Sequence, residues 1–161
     1  MSIKIGQASL GETGGRNQQP GNQTGRELNI SNWYNGRWLG ILRYKSRKKA
    51  ERAAQTCEAA IKNRNIGYDM DNRNTAYEAA RAVGWDVSKI TKPVETDCSA
   101  LMMLCAVAAG CASVEALYKK QGNSCTTYCM LHDWPATGDF ELLIGSKYLM
   151  TDANLLRGDV L

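Results

Sequence analysis

ETDCSALMMLCAVAAG, residues Glu95–Gly110, decides how the rest of the chain is placed. Thr96 or Asp97 offers a side-chain oxygen that can cap a helix start. Leu101 to Ala109 then runs apolar on nearly every face, and Gly110 supplies a common helix stop. The stretch predicts a buried helix with Cys98 in its first turn. Unpaired backbone N–H groups and the positive end of the helix dipole both favour a thiolate there. A thiolate is the form of cysteine that attacks a carbonyl carbon. Most cysteines at helix starts are nonetheless plain small hydrophobes. Cys105, deep in the apolar run, and Cys111, just past its end, are expected to be core residues.

A chain of 161 residues suits one domain with a real core, or one domain and an appendage. Its net charge of +4 helps approach to an anionic surface such as a wall polymer. The basic residues are scattered, and a solvated helix face accounts for the densest run, Arg43–Arg52, so no nucleic-acid partner is implied. No apolar stretch nears the ~20 residues of a membrane span. The first residues, MSIKIGQASLGETGG, lack a secretory apolar region. Synthesis in a cytoplasm is therefore expected, with the six cysteines reduced and in no obligatory disulfide framework.

Outward from the Cys98 helix, Gly6–Gly25 is rich in Gly, Gln, Asn and Thr and reads as loop or extended arm. Asn35-Gly36 stands between β-prone runs. The pattern predicts a hairpin over Leu28–Leu42, with Trp33 and Trp38 close across a tight turn and Gly36 at positive φ. The two tryptophans suit either a clamp holding the hairpin to the domain or a sugar-stacking surface. Ser46 caps a helix over about Arg47–Asn63, with Ala50, Ala53, Ala54, Cys57, Ala60 and Ile61 on one face. A helix over Thr75–Val83 stops at Gly84, and Trp85–Glu95 connects it to the Cys98 helix. Further on, Ser113–Lys120 and Cys125–Asp133 read as short helices, Phe140–Ile144 as a strand and Arg157–Leu161 as a turn opening onto a strand.

Three constellations could carry chemistry. Asp69-x-Asp71-x-Arg73 approaches a calcium loop, but Arg73 stands where an oxygen ligand belongs and Ala80 replaces the closing Glu. Cys125, Cys129, His132 and Asp133 lie close in sequence, in a spacing foreign to zinc fingers. Neither a metal nor a cofactor is expected. Cys98 and His132 form the sole possible Cys–His pair, since His132 is the one histidine. A thiol hydrolase needs such a base to take the thiol proton and return it to the leaving amine.

Asp97-Cys98-Ser99-Ala100-Leu101 resembles the Asp-Cys-Ser-Gly-Leu nucleophile motif of NlpC-type cell-wall hydrolases, with Ala100 in place of Gly. Other stretches look like the bacteriophage branch, the peptidoglycan amidohydrolases of phage lysins. They are Gln23-Thr24-Gly25-Arg26-Glu27, Trp33-Tyr34-Asn35-Gly36-Arg37-Trp38, Ile66-Gly67-Tyr68-Asp69 and Val83–Ile90, followed by Thr137–Glu141 and Arg157–Leu161. The resemblance implies an α+β, papain-like (NlpC-type) cysteine hydrolase fold. Its parts here would be a helix-rich front portion, an N-terminal hairpin and the beginning of an antiparallel sheet. Residues 1–45 would be an arm and hairpin packed on a catalytic domain over 46–161. The implied partner is bacterial peptidoglycan, reached after release from the cell in which the protein is made. Cys98 would be the nucleophile with Tyr68 beside it, and Asp69, Asp97, Ser99 and Trp85 would contact substrate. In that family the base is a histidine on a strand following the Arg-Gly-Asp motif, so it is expected beyond Leu161, and His132 matches no catalytic position. Two classes of function stay open: an amide-cleaving thiol hydrolase, and an inactive wall-binding or structural module that kept the fold.

Overall fold

The computed structural model describes residues 3–16 and 19–161. The strand and helix order is β1 (Lys4–Ala8), β2 (Leu28–Asn32), β3 (Ile41–Tyr44), α1 (Arg47–Lys62), β4 (Ile66–Tyr68), α2 (Thr75–Ala82) and β5 (Val94–Thr96), then α3 (Cys98–Ala108), α4 (Ala112–Lys120), α5 (Thr127–His132), β6 (Phe140–Leu143) and α6 (Ser146–Leu149). The fold is α+β, with helices packed among three small two-stranded sheets.

α3 is the centre. Nine of its 11 residues are buried, and α1, α2, α4 and β1 all pack against it. A helix apolar on every face needs neighbours on every side, and these elements provide them. Its cap is Asp97, whose side chain accepts from Ala100 N at 2.7 Å. α1 is amphipathic instead. It starts at Ser46, which caps Lys49 N, and buries Ala50, Ala53, Thr56 and Ala60. Small residues on that face let α1 approach α3 closely.

β4 and β5 are parallel, with Tyr68 opposite Thr96 and α2 in the crossover between them. Parallel neighbours need such a long connection. β5 begins within the stretch expected to be a connector, and no strand was expected at β4. β5 carries the chain directly into the cap of α3. β3 pairs antiparallel with β6, and Leu42 also bridges Val160 antiparallel, as expected for the beginning of an antiparallel sheet.

The hairpin expected over Leu28–Leu42 does not form. β2 pairs antiparallel with β1, from Lys4↔Asn32 to Ala8↔Leu28, and β3 pairs with β6. The stretch expected to be arm thus contributes a strand, although Asn17 and Gln18 within it lie outside the described residues. Arg37, not Gly36, takes the left-handed conformation, at φ 57°, and its N–H donates to Asn35 Oδ1. Gly36 is required for a different reason: a Cβ there would lie 2.6 Å from the Trp38 ring. That ring packs on Tyr34, with centroids 5.2 Å apart, and its Nε1 donates to the Tyr34 carbonyl. A two-residue turn signal is local, whereas β1 offers β2 a full ladder of backbone hydrogen bonds, and the ladder prevails.

Candidate active site

Cys98 is the first residue of α3 and is exposed, unlike the core around it. It lies on the wall of a groove of about 630 Å³. β1, the α1 face at Ala53 and Cys57, Tyr34 and Trp38, and the segment Leu155–Leu161 form the other walls. The backbone N–H groups of Cys98 and Ser99 point at the sulfur and, with Arg73, favour its thiolate. They do not win. Although the residue is exposed, its sulfur has lost enough water that desolvation comes first, followed by the neighbouring Asp97, and together they raise the thiol pKa above its ordinary value. The expectation of a helix-activated thiolate is corrected by that balance: at neutral pH this sulfur keeps its proton until a base removes it.

Asp97 holds the site together. Besides capping α3 it pairs with Arg73, Nη1 to Oδ2 at 2.9 Å, with the Asp97 side chain almost wholly buried. Arg73 Nη2 also donates to Ser124 Oγ at 3.0 Å. Ser99 Oγ stands 2.9 Å from Asp97 Oδ1 and 3.0 Å from the Cys125 carbonyl, donating its single proton between them. In the sequence Arg73 stood out only as a residue spoiling a calcium loop. Its pairing across 24 positions has no local signal.

Tyr68, at the end of β4, is buried and lies across the strand pair from Thr96, two residues before Cys98. Burial raises its pKa, with the electrostatic influence of Cys98 and Asp97 added, so it stays a neutral hydroxyl. Asp69 shapes the backbone. Its Oδ1 accepts from Asp71 N and Asn72 N, and its own N–H donates to the Thr96 carbonyl. This Asx turn explains the acidic spacing without a cation. Trp85 is not brought to the groove. It stacks on Tyr77 at 5.4 Å beyond the end of α2, in the left-handed conformation at φ 68°. The structure therefore sets Cys98 and Ser99 on the groove with Asp97 bonded behind them, and neither Tyr68 nor Trp85 lines it.

His132 ends α5, is exposed, packs its ring 4.2 Å from that of Tyr128 and does not line the groove. The two carboxylates that do line it are already paired, Glu58 with Arg157 and Asp159 with Arg43. Cys129 Sγ donates to Gln121 Oε1, and Cys125 is buried. Among the described residues no three or more His, Cys, Asp or Glu side chains are arranged to hold a metal ion. No helix among them is long and apolar enough to cross a membrane.

All six cysteines are free, and Cys98 alone is exposed. Limited alkylation of the native protein is expected to label Cys98 first. The rate should keep rising with pH beyond the ~8.5 of a free cysteine. Asp97→Asn keeps a capping side chain but removes a charge opposing the thiolate, and should shift that profile to lower pH. Mass-mapped labelling against pH checks both shifts.

These features define a class: an α+β domain presenting one exposed thiol at the start of its central buried helix. Within that class, the chain belongs to the endolysin-like domain family, which matches residues 5–161. No curated protein and no solved structure matches it. Membership of this family points to a phage lysin-type function on the bacterial cell wall.

Proposed function

We propose that the protein is a cysteine-dependent peptidoglycan hydrolase that cleaves an amide bond, with a papain-like arrangement of the NlpC type. The observation that carries this reading is an exposed Cys98 at the N-terminus of a buried helix, on the wall of a groove, in a chain of the endolysin-like family. In this mechanism a base takes the Cys98 proton and the thiolate adds to the amide carbonyl. The tetrahedral intermediate expels the amine as its nitrogen receives that proton, and water then hydrolyses the thioester. The Cys98 and Ser99 amides face the sulfur, and in this reading Tyr68 is the tyrosine that accompanies it. Asp97 and Arg73 act indirectly, fixing the helix start that aims it. Release of the protein from the cytoplasm would bring it to the wall.

In this reading the base is a histidine of the kind the resemblance puts on a strand after the Arg-Gly-Asp motif. The one histidine does not face the groove, and the groove's own carboxylates are paired. Without proton return an amide nitrogen leaves poorly, and losing that transfer costs about 100–10,000-fold. Residues 1–161 are therefore expected to digest purified walls feebly, while the product of the whole reading frame digests them well. If residues 1–161 are fully active and His132→Ala silences them, the base is His132. The lack of a facing histidine also favours a second reading, an inactive wall-binding module, which gains if both proteins bind walls and neither digests them.

A further inference from the structure

Beside β4, which carries Tyr68, and β5, which leads into Asp97, lies a set of buried acids the reaction does not use. Glu27, just before β2, is fully buried, and Glu95, at the middle of β5, is 2 % exposed. Glu95 is held by the Gly21 amide, and Glu27 by the amides of Tyr68 and Gln23. Glu27 Oε2 accepts from Tyr68 N at 2.8 Å, and Glu95 Oε1 accepts from Gly21 N at 2.5 Å. The other oxygens, Glu27 Oε1 and Glu95 Oε2, are buried with no hydrogen-bond partner among the described residues, as are Glu12 Oε2 and Asn22 Oδ1. Glu95 Oε2 is pressed against the backbone, since a Cβ at Gly67 would lie 2.9 Å from it.

Charged groups face this place from every neighbouring element. Glu12 approaches from the loop after β1, and Asp69 from the end of β4. Arg16 lies nearer Tyr68. Arg64, after α1, closes over Gly25 and donates to the Asn22 carbonyl at 3.4 Å. Arg73 is taken up by Asp97. Among the described residues none of Glu12, Glu27 and Glu95 has a salt bridge to a cation. Two buried carboxylates with unpartnered oxygens cannot both stay ionised at tolerable cost.

We propose that Glu95 and Glu27 are a proton-operated lock: with a proton on the pair, the segment 19–27 is held against β4 and β5, and when both ionise it is released. The lock connects to the site because its hydrogen bonds end on Gly21 on one side and on Tyr68 N on the other, and Tyr68 lies opposite Thr96, two residues before Cys98. Burial, followed by the charges of Glu27, Asp69 and Glu12, pushes the Glu95 carboxyl up to about 7 and outweighs the Gly21 amide that lowers it. Burial also raises Glu27. An acid whose pKa is higher folded than unfolded holds extra protons in the folded state between the two values. Its contribution is full below the unfolded value and is lost as pH rises through about 7. The lock is thus closed in mildly acidic surroundings and opens in mildly alkaline ones, whatever the role of Cys98.

The test is the melting temperature of the chain and of Glu95→Gln from pH 5 to pH 8.5, with amide hydrogen exchange at Gly21 and Tyr68. Glutamine keeps the acceptor for Gly21 N and removes the charge. The parent chain should lose about 5 °C or more between pH 6 and pH 8.5. Glu95→Gln should lose less than half of that. At pH 8.5 the Gly21 amide should exchange about tenfold faster in the parent than in the variant. Glu27→Gln should flatten the profile in the same way, which guards against a folding defect peculiar to one variant. Parallel pH profiles for parent and both variants would overturn the lock. So would millimolar calcium raising the parent's melting temperature at pH 8.5 and leaving Glu95→Gln unmoved, since a cation would then be closing the pair.

Discussion

Cys98→Ala is expected to cut wall digestion by the whole reading-frame product on the order of 10,000-fold or more, while leaving its melting temperature within about 1 °C. The two halves of this result come from separate facts. In the proposed mechanism the sulfur forms the covalent bond, and a methyl group cannot. Yet the side chain is exposed and contributes little to the core that Leu101, Met103 and Leu104 build behind it. Alanine also suits the first turn of a helix. Activity lost with stability kept separates a nucleophile from a packing cysteine. At buried Cys105 or Cys111 the order would be reversed: stability should fall on substitution, because volume is removed from a closed core.

The second large effect is on stability. Asp97→Ala removes the α3 cap and leaves Arg73 without its buried partner. Orphaning one member of a buried pair costs about 3–5 kcal/mol, and the lost cap adds about 1 kcal/mol. For a domain of this size the melting temperature should fall by roughly 10 °C. Asp97→Asn should lose clearly less, because an amide oxygen can still cap Ala100 N. Thermal melts of the three proteins at pH 7 check this. If Asp97→Ala melts with the parent, the Asp97–Arg73 pair is not what holds the helix start.

Local rules carried the helices and their caps. Ser46 before α1, Asp97 before α3 and Gly110 after it, at φ 92°, all stand where side-chain chemistry and backbone freedom put them. A cap involves residues a few positions apart, so its signal lies in the sequence. Strand pairing was not legible. Asn35-Gly36 gives a strong local turn signal, but β1 competes from over twenty residues away, and nothing in either strand announces the other. The β4–β5 pair was hidden for the same reason, each strand being three residues long. In the candidate site, Cys98 was legible from its place at a helix start, Tyr68 came through the family resemblance, and the strand register sets Tyr68 opposite Thr96, two residues before Cys98. Asp69 and Trp85 came with the same resemblance, and here they serve a turn and an aromatic stack. Arg73 and the Glu27–Glu95 pair escaped because long-range charge pairing leaves no periodic trace.

The central claim is that Cys98 forms a covalent bond with the wall. Its most direct test is an acid quench of the whole reading-frame product during digestion of purified peptidoglycan, followed by peptide mass mapping. The account predicts a wall-peptide or muropeptide acyl group held as a thioester on the peptide containing Cys98, absent when Cys98 is alanine. Brisk digestion with no adduct at Cys98, and equal digestion by Cys98→Ala, would contradict it.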